Sequence, residues 1–193
     1  MLTQQQLIKE ISATMGKAKV LKLTAIINEH SFPLRDLIDV TFHPDKNIAF
    51  RASWILENVL LKNDAAHLAD LPYLLQKFTE VTYPSSQRHY ANIVIRLTSL
   101  KAKAEVKEIL KETNLEQVVE KLFDWMIDPK VLVAVKCSAA EALMNFSPRY
   151  DWITEELKNQ LEFLMRDGTA AIQARGKMIL EKIESRAKNR ELR

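Results

Sequence analysis

Glycine occurs only three times in the 193 residues, at Gly16, Gly168 and Gly176. Phosphate-cradling loops need several glycines close together so that the backbone can approach the anion. Neither a G-x-G-x-x-G nor a G-x-x-x-x-G-K pattern is present, which excludes the standard dinucleotide and P-loop sites. Cysteine is scarcer still. With Cys137 alone, no intramolecular disulfide and no thiolate metal cluster can form within one chain. Long apolar runs are also missing: no stretch approaches the roughly 18 uncharged apolar residues that cross a bilayer. The opening "MLTQQQLIKEI" lacks the basic start, apolar run and small-residue cleavage site of a secretory leader. These absences lead us to expect a cytoplasmic, reducing compartment and no membrane.

What is present suits a folded domain. Hydrophobic residues make up 47% and charged residues 27%, a balance that favours a packed core over disorder. The formal net charge of +3 permits an acidic partner without demanding one. Four histidines, His30, His43, His67 and His89, invite a metal reading. None forms H-E-x-x-H or pairs with another at helical i, i+3 or i+4 spacing, and zinc needs three or four convergent ligands. No metal and no cofactor are expected, and no catalytic motif was found, so the expectation is a non-enzymatic protein.

The chain does contain a repeat. Aligned on its turn residues Gly16, Pro44, Pro84, Pro129 and Gly168, the last four of which lie 40, 45 and 39 residues apart, it shows recurring columns. Four residues on stand Val20, Ile48, Arg88, Val133 and Ile172; eight on, Thr24, Ala52, Asn92, Cys137 and Gly176; eleven on, Ile27, Ile55, Ile95, Ala140 and Ile179. These offsets share one helical face and predict a buried stripe. Amphipathic segments such as "SFPLRDLIDVTFHP" and "DLPYLLQKFTEVTYP" precede the turns. Ser31 and Asp70 stand two residues before Pro33 and Pro72 and read as helix caps ahead of a first-turn proline. The unit is helix, turn, helix. Its length is the signature of a helical solenoid, in which each pair leaves an apolar face that only its neighbours cover.

The predicted fold is all-α, a right-handed α-α superhelix of about five antiparallel helix pairs forming one domain over 1–193. The units fall near 3–30, 31–63, 67–100, 115–147 and 152–187. A charged segment, 101–114, reads either as an extra helix or as an extension of the one before it.

The stretch "DPKVLVAVKCSAAEALMNF" resembles the HEAT/armadillo-like repeat family. Asp128 and Pro129 match its turn, Val135 and Lys136 its hydrophobic-basic pair, and Ala139, Ala140 and Leu143 its small and apolar positions. "HPDKNIAFRASWILENV" follows with Phe50 and Arg51 as that pair but Trp54 and Ile55 where small residues are usual. The first and third units depart furthest, with Leu23 and Ala91 in place of the base. The resemblance implies a solenoid whose second helices form an extended binding surface.

On that surface the candidate binding residues are Phe50, Arg51, Trp54, His89, Tyr90, Arg96, Lys136 and Arg175. Large aromatics serve as anchors in interfaces. The partial basic column of Arg51, Lys136 and Arg175, seven residues after their turns, has two readings. Each base could bridge to an acid of a neighbouring unit, with Glu29, Glu57 and Glu181 recurring at offset 13, or the column could track an acidic partner. Its angle on the shoulder of the buried stripe favours the structural role. Cys137 falls in a small-residue column and is expected to be a buried, inert thiol. Trp125 and Trp152 are expected to pack between repeats.

The leading functional expectation is an interaction or scaffold module that binds another protein or peptide. The alternative is a nucleic-acid-binding protein similar to the HEAT-like glycosylases that excise alkylated bases, for which Trp54, Glu57 and Arg51 are the nearest candidates. No motif of that family matches residue by residue, and +3 is small for a protein that must neutralise many phosphates. All-helical lyases such as adenylosuccinate lyase are rejected: "YPSSQRHY" has paired serines but lacks the methionine, lysine and asparagine of their flexible loop, and the chain is far shorter than their three-domain body.

Overall fold

The computed structural model describes residues 2–13, 15–29 and 32–191, and among them no strand occurs. The helices are α1 (Gln4–Ser12), α2 (Lys17–Asn28), α3 (Leu34–Val40) and α4 (Lys46–Asn63). A 3-10 segment, Asp64–Asp70, leads into α5 (Leu71–Phe78), followed by α6 (Pro84–Thr98), α7 (Ala104–Glu112) and α8 (Glu116–Ile127). The chain ends in α9 (Val133–Phe146), α10 (Trp152–Met165) and α11 (Ala170–Glu191).

Local chemistry explains several of the helix starts. Thr3 Oγ1 accepts from the Gln6 amide at 3.2 Å while Gln6 Oε1 accepts from the Thr3 amide at 2.8 Å, a reciprocal box that satisfies two orphan donors of α1. Asp45 Oδ1 accepts from the Asn47 amide at 2.8 Å and opens α4. Of the two caps expected further on, the one at Asp70 is not made. Ser31 lies outside the described residues, Pro33 itself occupies the cap position of α3, and α5 has no side-chain cap. The Asp70 carboxylate faces Arg35 instead, at 3.1 Å from its Nε.

Helices α2, α4, α6, α9 and α11 pack one on the next as an inner layer. The outer helices are α1, α3, α5, α8 and α10: α3, α8 and α10 pack on α4, α9 and α11, whereas α1 packs on α3 and α4 and α5 packs on α3 and α8, which gives a two-layered helical solenoid. Helix α7 belongs to neither set. It is a separate helix within 101–114 and packs on α5, α6 and the 3-10 segment. One continuous core joins the units, from Leu7 and Ile11 through Ile55, Leu56 and Leu97 to Leu143, Leu157 and Ile179. Burial of such a side chain contributes about 1.5–3 kcal/mol. Aromatic contacts link the outer layer across units: Phe78 of α5 lies 4.8 Å from Trp125 of α8, centroid to centroid, and meets Tyr90 of α6 edge-on.

Tyr90 is therefore corrected from a candidate surface anchor to a core residue. It is 1% exposed, and its hydroxyl shares a 2.6 Å hydrogen bond with Thr41 Oγ1. Burial drives its phenol far above the usual tyrosine range. Of the remaining tryptophans, Trp125 is buried between units as expected, whereas Trp152 lies exposed and stacks on Phe123 at 5.6 Å.

Two basic residues of the repeat column, Arg51 and Lys136, and two further arginines, Arg149 and Arg186, reach the ends of other helices. Arg51 donates from Nη1 to the carbonyl oxygens of Ile11 at 2.7 Å and Ser12 at 2.8 Å. Lys136, 8% exposed, donates from Nζ to the Met126 carbonyl at 2.9 Å, and burial lowers its pKa. Arg149 Nη2 donates to the Thr113 carbonyl at 3.0 Å, and Arg186 Nη1 to that of Met144 at 3.1 Å. Each cation thus closes the C-terminal end of another helix (α1, α8, α7 and α9 in turn), where carbonyls lack helical partners and the macrodipole favours positive charge. Arg96 faces the fully buried Asp64, its Nε 3.2 Å from Oδ2. Arg51, Lys136 and Arg96 are thereby corrected from binding candidates to structural ties. Their partners are backbone carbonyls and Asp64, rather than the offset-13 acids expected for the column.

Candidate binding groove

The proline turns do not set a common register for the inner helices. Helix α4 begins two residues after Pro44, α6 begins at Pro84, α9 begins four after Pro129, and α11 begins two after Gly168. Proline is tolerated within a first helical turn as well as before it, so it marks the start only to within a turn. Counting from the helix starts restores the alignment. The sixth residues are Lys22, Arg51, His89, Ser138 and Arg175; the ninth are Ala25, Trp54, Asn92, Glu141 and Met178. In this frame Lys136 leaves the basic column, and Arg88 and Asn92 move out of the buried stripe onto the face it borders.

That face forms a trough across α4, α6, α9 and α11. It consists of two recesses, of about 500 and 600 Å³, which share Arg88, Asn92 and Ala134. In the first recess Phe50 and Trp54 stack at 6.2 Å with an interplanar angle of 22°, and the His89 ring lies 5.4 Å from Phe50. Phe50 and Trp54 stand one turn apart on α4, so helical geometry alone aligns them. Leu132, 56% exposed at the entrance of α9, faces this aromatic wall. The second recess is lined by Ile95, Cys137 and Met178, with the small Ala171 and Ala174 of α11.

Polar ties run between successive inner helices. Arg175 donates from Nη1 to Glu141 Oε2 at 2.6 Å. Ser138 Oγ donates to Asn92 Oδ1 at 3.3 Å. Both join the sixth residue of one helix to the ninth of the helix before. Glu57 is held by His89 Nδ1 at one oxygen and by Asn92 Nδ2, at 2.9 Å, at the other. Both carboxylates of the trough are thus answered from within the protein. Arg88 is different: it is exposed, it borders both recesses, and among the described residues it makes no ion pair.

The structure brings together Phe50, Trp54 and His89, with Arg175 at the far end, and leaves Tyr90, Arg51, Arg96 and Lys136 away from the trough. Sequence reasoning missed the places of Arg88, Asn92 and Met178, which the count from helix starts aligns, and of Leu132, which stands just ahead of α9. Cys137 is another correction. It is half-buried on the trough wall, its Sγ 3.7 Å from the Ala171 carbonyl, and not enclosed in the core. Burial pushes its thiol pKa up, and the nearby Arg175 charge offsets this in part. The glycosylase-like grouping does not converge, because Arg51 turns to α1 while Trp54 and Glu57 face the trough. Among the described residues no group of three histidine, cysteine, aspartate or glutamate side chains could hold a metal, and no helix is long and apolar enough to cross a membrane.

The sequence pattern of the HEAT repeat domain matches residues 7–183, from the first buried leucine of α1 to the last apolar turns of α11. HEAT repeats generally mediate protein–protein interaction or scaffolding, and the family is typically non-catalytic. No curated protein matches the chain. With the match covering nearly the whole solenoid, the chain belongs to the HEAT repeat domain family.

Proposed function

We propose that the protein is a non-catalytic interaction module that holds a protein partner in the trough formed by α4, α6, α9 and α11. The observation that carries this reading is the half-buried Phe50–Trp54 stack facing the exposed Leu132 across an open recess. Aromatic anchors set in such recesses dominate protein interfaces, whereas the surrounding contacts mainly exclude water. Nucleic acid fits the charge less well. Arg51 and Lys136 are spent on carbonyls, Arg96 on Asp64 and Arg175 on Glu141, so the trough offers no line of free cations. Binding to a phosphate backbone draws its affinity from many neutralised phosphates.

Affinity capture from the native cell's lysate, with and without nuclease, tests the proposal when run beside Trp54→Ala. Protein partners that survive nuclease and are lost with Trp54→Ala support it. Recovery that collapses with nuclease, or is indifferent to Trp54→Ala, sinks it.

A further inference from the structure

Resting on the reading that the trough binds protein, we propose that its occupant is an acidic amphipathic peptide segment. A carboxylate of the partner sits on Arg88, with a bulky apolar side chain on either side of it. One packs against Phe50 and Trp54, the other against Ile95 and Met178.

The charges of the trough select this chemistry. Glu57 is satisfied by His89 and Asn92, and Glu141 by Arg175, so neither carboxylate calls for a cation from outside. Arg88 is one of the three residues that both recesses share, and the one exposed cation between them without an ion pair among the described residues. The surface therefore reads apolar, positive, apolar along its length. A guanidinium donates two parallel, charge-assisted hydrogen bonds to a carboxylate. Apolar walls on both sides exclude water from that contact and strengthen it relative to an open surface. A basic segment would meet Arg88 with a like charge and find both trough carboxylates already engaged. A polyanion would find a single unpaired cation, too few for a backbone that binds through many phosphates.

The test selects a random linear peptide library, displayed on phage, against the full chain and against Arg88→Glu, Arg88→Ala and Trp54→Ala, each checked for fold by circular dichroism. The expected result is enrichment, on the unaltered chain, of peptides with Asp or Glu between two Leu, Phe, Trp or Met residues. A synthetic peptide of that kind should bind Arg88→Ala about tenfold more weakly, the scale of one charge-assisted contact. Replacing its acid by the amide should cost as much on the unaltered chain and almost nothing on Arg88→Ala, because the two changes remove one interaction. Arg88→Glu should select Lys or Arg at the same place. Enriched peptides without an acid, an acid worth as much on Arg88→Ala as on the unaltered chain, or no enrichment at all would each overturn the proposal. If acid-free apolar peptides are enriched and Trp54→Ala abolishes them, the trough reading stands and the carboxylate falls. If Trp54→Ala binds every peptide equally well, both fall. A labelled single-stranded oligonucleotide that binds with steep salt dependence and resists competition by the peptides would overturn both as well.

Discussion

Arg51 donates from Nη1 to the carbonyl oxygen of Ile11, 2.7 Å away and 40 residues earlier in the chain. With the second bond to Ser12, one guanidinium fastens the end of α1 to the inner helix α4. We expect Arg51→Ala to destabilise the protein by about 1–3 kcal/mol, the cost of leaving such acceptors unpaired. Hydrogen exchange should accelerate in α1 while the amides of α9 stay protected. Binding in the trough should be unaffected, which separates this residue from Trp54.

Tyr90 gives the alkaline limit of stability a specific cause. Its folded pKa is raised by burial, while an unfolded tyrosine titrates near 10. The folded state therefore holds the proton more tightly. This contribution is complete below about pH 10 and is lost as pH rises above it. Tyr90→Phe removes the effect and should shift the alkaline unfolding midpoint upward in a circular-dichroism titration. At neutral pH the same change should cost about 1 kcal/mol through the lost bond to Thr41.

Cys137 should react slowly with iodoacetamide at neutral pH, because burial favours the protonated thiol and the thiolate is the nucleophile. Arg175 pulls the other way. Arg175→Ala should slow alkylation further, followed by mass spectrometry, even though it also opens the trough near the sulfur. Faster alkylation would mean that access, and not charge, governs this thiol.

Gly176 lies where α11 crosses Met165 of α10: a Cβ placed there would overlap Sδ and come 3.0 Å from Cγ of that side chain. Gly176→Ala should destabilise the last helix pair by no more than about 1 kcal/mol, because the flexible, half-buried Met165 side chain can shift partly aside. Adding Met165→Ala should recover part of the loss in a thermal melt, since it removes the atoms in the way.

The helix pairs and the all-α class were legible because the apolar columns at Val20, Ile48 and Ile172 repeat at helical spacing and are buried where expected. The site was less so. Pro84 lies inside α6 and Pro129 well ahead of α9, so an alignment on prolines slipped by two residues in opposite directions. That slip put Lys136 among the groove bases and Arg88 in the core stripe. Tyr90 failed for another reason. Its size and aromaticity mark it as an anchor candidate, but helical rotation of roughly 100° per residue turns it into the core while the adjacent His89 faces the trough. The basic residues were legible as structural, though not their partners: backbone carbonyls carry no mark in a sequence.

The rungs from Arg175 to Glu141, Ser138 to Asn92 and His89 to Glu57 all lie on the trough side of the inner layer, and each spans only one helix boundary. Mechanically they are springs in series. A load that spreads the trough is divided among the boundaries, so the total opening is the sum of small rotations and no single boundary has to break. Widening of the trough is therefore expected as small rotations shared among the boundaries rather than as parting at one of them. At the middle of the groove the 3.3 Å rung of Ser138 to Asn92 is backed by Asn145, which donates to the Ile95 carbonyl and to Thr98 Oγ1 across the same boundary.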